Sequence, residues 1–390
     1  MFGVNEVTAQ LAPYPAETLR KLRLQLEGEG RRVYDLSTGD PRIPVWSAIQ
    51  DKVRNSLPDI SQYPSVLGSA RLREAHAAYL LQRFGVRAGD NLTLLPTAGS
   101  KEAIFHIPLS LIQRKGQDRI LFPTPGYPIY RDGILFAGGI PTPMPLRHEE
   151  GFLQQPWNLP PEIVRDTVAI WINYPNNPTG TCATPAYFAR IVEWAQAHNV
   201  VILSDECYVD IYDGALPESQ RPPSMLQLTQ KGVIAFYSLS KRSGLTGYRA
   251  GFMAGDPAIL GPHTQARARF GVAQPDFVQE GAIVAWEDDA HVAARRVIFS
   301  HRVRWMGAAL LEMGIQTQIP EATFYLWGKV PAAYSEDDVR FCRELAEKGG
   351  VLFSPSSWLG GGGPGWFRIA CTLDDRESRE ALDILQGFCG

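Results

Sequence analysis

Short apolar segments alternate with helical segments along much of this chain, and this alternation restricts the fold more than any other feature. Predicted strands span 91–95, 119–122, 168–173, 200–205 and 233–239, and predicted helices span 70–84, 101–112, 128–137 and 184–198. Strands that are apolar along their whole length are typical of parallel sheets buried on both faces. The sequence therefore predicts an α/β fold, a mainly parallel, doubly wound sheet flanked by helices on both faces.

The pattern changes after residue 271, where long helices and more widely spaced strands follow. Predicted helices span 291–313 and 336–348, and predicted strands span 324–330, 350–354 and 366–371. A further helix is predicted at 16–27, before the large sheet begins. We therefore expect a large domain at residues 46–285. We expect a smaller α+β domain built from residues 1–45 and 286–390.

Lys241 follows the strand predicted at 233–239, in the segment SLSKRSGLTGYRAG. Ligands of doubly wound sheets bind at the carboxyl ends of the strands. Burial disfavours the charged form of a lysine, and a neutral amine is a nucleophile that forms Schiff bases with aldehydes, including pyridoxal phosphate (PLP). The hydroxyl of Ser238 and the guanidinium of Arg249 suit a phosphate group. Together these residues favour a PLP site over a solvated surface lysine.

Polar side chains also follow the other predicted strands. Asp205 ends the strand at 200–205, and a buried carboxylate needs a partner. In a PLP enzyme that partner is the protonated ring nitrogen, while a salt bridge or a helix cap remains the alternative. Asn177 lies in the turn YPNNPTG, whose prolines and glycine restrict the backbone. The turn at 97–100 precedes a predicted helix and offers free amides to an anion. Each motif alone is a weak signal.

Composition excludes several classes of function. The formal net charge of −3 offers no electrostatic basis for binding nucleic acid or anionic membranes. No apolar run approaches the ~20 residues of a membrane span, and no secretory signal is apparent. The five cysteines are scattered, without a CxxC pair, and the histidines lack metal-site spacing. We therefore expect free thiols, no metal site and a cytoplasmic location.

Five motifs in this order along the chain, TAGSKEA, NYPNNPTG, SDECY, SLSKRSGLTGYRAGF and FRIA, resemble those of the fold-type I, class I and II PLP-dependent aminotransferases. The resemblance covers nearly the whole chain, and the combination is much more specific than any single motif. Three longer stretches, SDECYVDIY, YSLSKRSGLTGYRAGFMAGDPA and FYLWGKV, look most like the N-succinyldiaminopimelate aminotransferases of lysine and cell-wall biosynthesis. The resemblance thus implies the fold, the cofactor and an activity.

The resemblance also implies how the cofactor ring is bound. Lys241 would form the Schiff base with PLP and later carry the substrate's proton. Asp205 would keep the ring nitrogen protonated. Asn177 and Tyr208 would donate hydrogen bonds to the ring hydroxyl oxygen, and Tyr127 would stack on the ring.

The same resemblance implies contacts at the phosphate and at the substrate. The implied phosphate ligands are Gly99, Ser100, Lys101, Ser238 and Arg249. Tyr63 would reach the phosphate of a neighbouring subunit, which implies a homodimer. Arg368 would bind the α-carboxylate of the substrate, helped by Gly39 and Asn177. From the residues alone, Arg368 is equally consistent with a surface-facing arginine in an edge strand, and an ordinary strand-to-loop turn is favoured at Gly39.

The implied reaction is a ping-pong transfer of an amino group to 2-oxoglutarate, with N-succinyl-LL-2,6-diaminopimelate as the expected donor. The alternatives are another class I or II aminotransferase, specific for aspartate or aromatic amino acids, and a cysteine-S-conjugate β-lyase. The sequence offers no identifiable second arginine for a side-chain carboxylate. A PLP-sensing transcription regulator is disfavoured, because the roughly 45 residues before the large domain leave no room for a winged helix.

Overall fold

The computed structural model describes residues 3–9, 11, 13–113, 118–360 and 363–389. The strands are β1 (Tyr34–Asp35), β2 (Thr93–Thr97), β3 (Arg119–Thr124), β4 (Ile140–Pro145), β5 (Thr167–Asn173), β6 (Val201–Asp205), β7 (Val233–Ser238), β8 (Gly251–Gly255), β9 (Tyr325–Lys329), β10 (Val351–Leu352), β11 (Ser354–Pro355) and β12 (Trp366–Ala370). The α-helices are α1 (Glu6–Ala9), α2 (Pro15–Gly28), α3 (Ser47–Asn55), α4 (Ala70–Phe84), α5 (Ser100–His106), α6 (Pro108–Leu111), α7 (Ile129–Ala137), α8 (Pro161–Arg165), α9 (Pro185–Ala197), α10 (Leu239–Arg242), α11 (Pro257–Arg267), α12 (Asp276–Glu287), α13 (Ala290–Glu312), α14 (Asp338–Gly349) and α15 (Asp375–Gln386).

Within these residues, seven strands form the large sheet in the order β2-β8-β7-β6-β5-β3-β4. Neighbouring strands from β4 to β7 pair in parallel, while β8 is antiparallel to both β2 and β7. Every residue of β7 is buried, as expected for a strand covered on both faces. The predicted α/β fold with a mainly parallel sheet is therefore confirmed.

Alternate side chains of each central strand enter different cores. Ile170 and Ile172 pack in one hydrophobic cluster with residues of α4, α9 and α12. Trp171, between them, packs in the other cluster with residues of α5, α7 and α11. This follows from the two-residue period of a strand, and it places helices on both faces of the sheet.

A second, smaller assembly has its own core. Here β9 and β11 pair antiparallel with β12, and β1 pairs in parallel with β10. Their core includes Phe341, Phe367 and Leu385, with side chains from α13, α14 and α15. Because β1 pairs with β10, the N-terminal segment packs with the C-terminal part of the chain. The boundaries at residues 45/46 and 285/286 stay a prediction.

Three predicted elements differ from the structure. The strand predicted at 350–354 divides into β10 and β11, which pair with different strands. The strand predicted at 233–239 ends at Ser238, and Lys241 lies on the helical turn α10. The helix predicted at 101–112 divides into α5 and α6 at Pro108, whose ring lacks the N–H of a continuous helix.

The strand β4 lay outside the predicted set. It contains three prolines, in the sequence IPTPMP, which argues against a central strand. The structure accommodates them because β4 is at the edge of the sheet and pairs only with β3.

Candidate active site

The carboxyl ends of β5, β6 and β7 open into a cavity of about 360 Å³, within the range of small-molecule sites. Most of the predicted site residues line it, namely Gly39, Ser100, Lys101, Tyr127, Asn177, Asp205, Tyr208, Ser238, Lys241, Arg249 and Arg368. The sheet and the smaller assembly both contribute to this lining. The structure thus brings together residues that are up to 329 positions apart in the sequence, and those that follow β5, β6 and β7 meet because parallel strands end at the same edge.

The amine of Lys241 lies inside this cavity. Its Nζ donates a hydrogen bond to the carbonyl oxygen of Gly39 at 2.5 Å. It also lies 5.8 Å from the ring centre of Tyr208 and 5.9 Å from that of Phe324. Lys241 is half-buried, which is less than a position at the end of a buried strand suggests. The half-buried amine is open to a ligand in the cavity.

The carboxylate of Asp205 is buried at the end of β6, with 5% of the residue exposed. Its Oδ2 accepts a hydrogen bond from the hydroxyl of Tyr130 at 2.6 Å, and its Oδ1 accepts one from the amide of Cys207 at 3.2 Å. Burial raises the pKa of Asp205, while these hydrogen bonds and the charge of Lys241 act in the opposite direction. A cation in the cavity would complete the partners of this carboxylate.

The neighbouring carboxyl group, Glu206, points into a different environment. It is 1% exposed, and its Oε1 accepts hydrogen bonds from the hydroxyl of Ser204 and the amide of Met225, both at 2.8 Å. Its Oε2 has no hydrogen-bond partner among the described residues. Burial therefore raises the pKa of Glu206 from 4.5 to about 7.

Glu206→Gln is expected to change how stability depends on pH. The folded state binds the Glu206 proton more tightly than the unfolded state does. The stabilisation of the fold by this proton is therefore complete below about pH 4.5 and is lost as the pH rises to about 7. At ~1.4 kcal/mol per pKa unit, this loss is on the order of 3 kcal/mol. Urea unfolding at pH 5 and pH 8 should show a smaller difference for Glu206→Gln than for the wild type. The exposed Glu193→Gln is the control, and equal pH differences in all three proteins would contradict the prediction.

Arg249 lines the cavity and contacts Gly99, the residue that precedes α5. Gly99 has φ 81°, and a Cβ atom there would lie 2.3 Å from Nη2 of Arg249. Only glycine therefore lets the guanidinium cross the start of α5 so closely. Arg249 itself adopts a positive φ of 55° and donates from Nη1 to the carbonyl of Thr246 at 2.8 Å. Loop amides, the first residues of α5 and an arginine together suit a phosphate group.

Arg368 lines the cavity from β12, with 7% of the residue exposed. Its Nη1 donates to Oδ1 of Asn177 at 2.8 Å, and its Nη2 donates to the carbonyl of Ser37 at 2.6 Å. The guanidinium lies 4.4 Å from the ring centre of Tyr325. Its buried Nε has no hydrogen-bond partner among the described residues. An arginine held in this way is suited to bind a carboxylate, and the alternative of a surface-facing arginine is excluded.

Gly39 is required by its contact with Tyr325. A Cβ atom on Gly39 would lie 1.9 Å from the hydroxyl oxygen of Tyr325, so no larger residue fits. That hydroxyl also shares a hydrogen bond of 2.8 Å with the hydroxyl of Tyr208. The sequence RVYDLSTGDPR around Gly39 favoured an ordinary strand-to-loop turn, but the structure shows a close approach of the Gly39 backbone to the Tyr325 ring.

Sequence reasoning missed three residues of the site. Tyr130 binds Asp205, Tyr325 lies under Arg368, and Asn173 joins β5 to β6 by donating to the Asp205 carbonyl at 2.9 Å. Oδ1 of Asn173 also accepts from the amide of Asn177 at 3.0 Å. Asn173 ends β5 directly opposite Asp205, so the parallel register was a usable signal. The tyrosines resemble ordinary core aromatics in the sequence.

Tyr63 lies apart from the cavity within this chain. It is fully exposed, at 103%, in a segment without regular secondary structure. A single chain therefore offers it no contact with the site, and its predicted contact with a neighbouring subunit stays a prediction.

The described residues hold no group of three or more His, Cys, Asp or Glu side chains placed for a metal ion. Within the described residues, no helix is both long enough and apolar enough to span a membrane.

Comparison with known proteins gives consistent matches over the full length. Residues 31–385 match the family described as aminotransferase class I and II. The LL-diaminopimelate aminotransferase of Aquifex aeolicus is 34% identical over 394 residues, which covers 100% of both chains. That of Syntrophobacter fumaroxidans is also 34% identical and covers 96% of each.

Solved structures agree with these matches. The substrate-bound BacF of Bacillus subtilis superposes with a TM-score of 0.93 at 25% identity, covering 100% of this chain and 98% of BacF. An aminotransferase of Neisseria meningitidis superposes with a TM-score of 0.87 at 29% identity, covering 99% of this chain and 100% of that protein.

Proposed function

Because this chain belongs to the class I and II aminotransferases, which are PLP-dependent enzymes, we propose that it transfers an amino group from LL-2,6-diaminopimelate to 2-oxoglutarate. The observation that carries the choice of donor is the similarity, over the whole chain, to relatives named LL-diaminopimelate aminotransferases. The resemblance of the motifs alone suggested the N-succinylated donor. The relatives' names favour the free diamino acid instead.

The cavity offers groups suited to the phosphate of PLP and groups suited to its ring. The phosphate would be bound by the guanidinium of Arg249, which lies against Gly99. The amides of Ser100 and Lys101 and the hydroxyl of Ser238 would donate further hydrogen bonds to it. The buried Asp205 would face the protonated ring nitrogen. PLP supplies, when bound, an aldehyde that reacts with amines and a ring that accepts electrons.

Lys241 provides the amine of this chemistry. Its half-buried Nζ would attach the cofactor and, once displaced by the amino donor, would take the proton from the substrate's α-carbon and deliver it again. A single lysine would thus act as base and as acid. Tyr208 and Asn177 would donate hydrogen bonds to the ring hydroxyl oxygen, and Tyr127 would cover one face of the ring.

Arg368 would bind the α-carboxylate of every amino donor. Its contacts with Asn177 and Ser37 hold the guanidinium, and Nη1 has a second N–H that the contact with Asn177 does not use. A planar fork of donors binds a carboxylate with two hydrogen bonds. The ring of Tyr325 packs against the guanidinium of Arg368 and limits its movement.

The distal end of the donor would lie at the cavity mouth, near Lys101 and Tyr14. Both line the cavity, and Nζ of Lys101 lies 4.2 Å from the ring centre of Tyr14. The positive charge of a lysine that lines the cavity suits the distal carboxylate of diaminopimelate.

We also propose a homodimer and a cytoplasmic location. The homodimer is supported by the exposed apolar side chains around Tyr63, which include Leu57 and Ile60. Five free cysteines fit a reducing compartment.

The choice of donor is tested by kcat/KM values with 2-oxoglutarate as the acceptor, following glutamate formation. LL-2,6-diaminopimelate is expected to exceed N-succinyl-LL-2,6-diaminopimelate, aspartate and aromatic amino acids by at least about tenfold. Pyruvate release from cystathionine measures the β-lyase alternative in the same preparation. A tenfold preference for any of the other compounds would contradict the proposed donor, and the assignment to the family would stand.

A further inference from the structure

The hydroxyl of Tyr130 makes a short hydrogen bond to the buried carboxylate of Asp205. Tyr130 is 0% exposed, and its hydroxyl donates to Oδ2 at 2.6 Å. This length is typical of an O–H donor bound to an ionised carboxylate. We propose that Tyr130 is a positioning residue, which orients the carboxylate of Asp205 and keeps it ionised for the positively charged ring nitrogen of PLP. This inference rests on the proposed role of Asp205.

The ring of Tyr130 is held so that the hydroxyl keeps this direction. It stacks on Trp171, with ring centres 4.7 Å apart and an angle of 22° between the planes. Tyr127 meets it edge to face at 5.8 Å. Because both contacts are buried in or beside the core of the sheet, the phenol cannot turn away from Asp205 without disrupting packing.

The carboxylate is held from two sides. Oδ1 accepts from the amide of Cys207 at 3.2 Å, while Oδ2 accepts from Tyr130. Both oxygens are therefore fixed by the protein, which sets the plane of the carboxylate before any ligand is bound. A preoriented carboxylate avoids the cost of ordering it at the moment of binding.

The same hydrogen bond affects ionisation. Burial raises the pKa of Asp205, and four groups that face it act in the opposite direction: the thiol and the amide of Cys207, the hydroxyl of Tyr130 and the charge of Lys241. Burial and the nearby Asp205 hold the pKa of Tyr130 well above its usual range, so its hydroxyl stays protonated and remains a donor. Loss of this donor would leave the carboxylate easier to protonate.

The test uses Tyr130→Phe, which retains the ring and its stacking. PLP is removed from the purified enzyme and titrated back without any amino acid, so the result does not depend on the donor. We expect the Kd for PLP to rise about tenfold, as for the loss of a hydrogen bond to a charged group. The loss of PLP affinity on acidification should also begin at a higher pH than in the wild type.

Tyr174→Phe is the matched control. Tyr174 is also buried, and its hydroxyl donates to the carbonyl of Phe152 and accepts from the amide of Gln154, both at 3.0 Å. It is not part of the cavity lining. We expect this variant to lose thermal stability while its Kd for PLP and its pH dependence remain those of the wild type.

A double-mutant cycle with Asp205→Asn completes the test. If Tyr130 acts through Asp205, Tyr130→Phe should change the Kd for PLP by less than about twofold in the Asp205→Asn background. The proposal is overturned if Tyr130→Phe lowers only the melting temperature, like the control, or if its effect persists in full in the double variant. Failure of the wild type to bind PLP at all would instead contradict the proposed function.

Discussion

Lys241→Ala is expected to lose transamination by at least about 10⁴-fold, because the variant lacks both the amine that attaches the cofactor and the group that moves the α-proton. PLP should still bind, since Arg249 and the loop at Gly99 are unchanged. The other lysine of the cavity, Lys101, cannot replace it, because its amine lies over the ring of Tyr14. Glutamate formation from the best donor is the measurement.

The control for this variant is Lys231→Ala. Lys231 is exposed and precedes β7, the strand that leads to Lys241. It should retain wild-type turnover. Residual activity of Lys241→Ala above about 1% of the wild type would exclude Lys241 as the base, since general acid–base catalysis alone contributes at least ~10²-fold.

Asp205→Asn is expected to lower kcat by at least about 10²-fold, in line with other preorganised electrostatic contacts. The amide has the shape of the carboxylate: its one oxygen can accept from the amide of Cys207, and its NH₂ group can donate to the hydroxyl oxygen of Tyr130, so the fold should persist. It lacks the negative charge that keeps the ring nitrogen protonated. Circular dichroism and kcat with the best donor separate these two effects.

Asp383→Asn, an exposed position on α15, is the control and should match the wild type in both measurements. If a correctly folded Asp205→Asn turns over at a near-normal rate, the carboxylate is structural, and the double-mutant cycle with Tyr130 loses its basis.

The residues that could be predicted are those that end apolar strands. Lys241, Asp205 and Asn177 each follow such a strand, and parallel strands bring their carboxyl ends to the same edge. A polar side chain directly after a buried segment is a strong local signal, because its burial requires a partner. The sheet itself was predicted for the same reason, since its central strands are apolar on both faces.

The residues that could not be predicted are those whose role depends on contacts between distant segments. Tyr130 and Tyr325 are buried aromatics, and nothing near them in the sequence distinguishes a phenol that binds Asp205 or supports Arg368 from one that fills the core. The close contact at Gly39 also depends on a distant segment, because the ring that excludes a side chain there is that of Tyr325 on β9. The contact predicted for Tyr63 involves a second chain and stays a prediction, since within a single chain this residue is fully exposed.

The degree of burial of Lys241 was also overestimated. The apolar run suggested a strand that continues to residue 239, but the side chain of Ser238 accepts a hydrogen bond from the amide of Ser240 and begins the helical turn α10. The amine therefore points into the cavity from a helical turn, where it contacts the carbonyl of Gly39.

The attachment of PLP to Lys241 is tested most directly by borohydride reduction of the purified enzyme followed by peptide mapping. Reduction converts a lysine joined to PLP into a stable, labelled side chain. The label is expected on the peptide that contains Lys241, and the Lys241→Ala variant should remain unlabelled. A label on Lys101, or on any other lysine of the wild type, would contradict the account of this site.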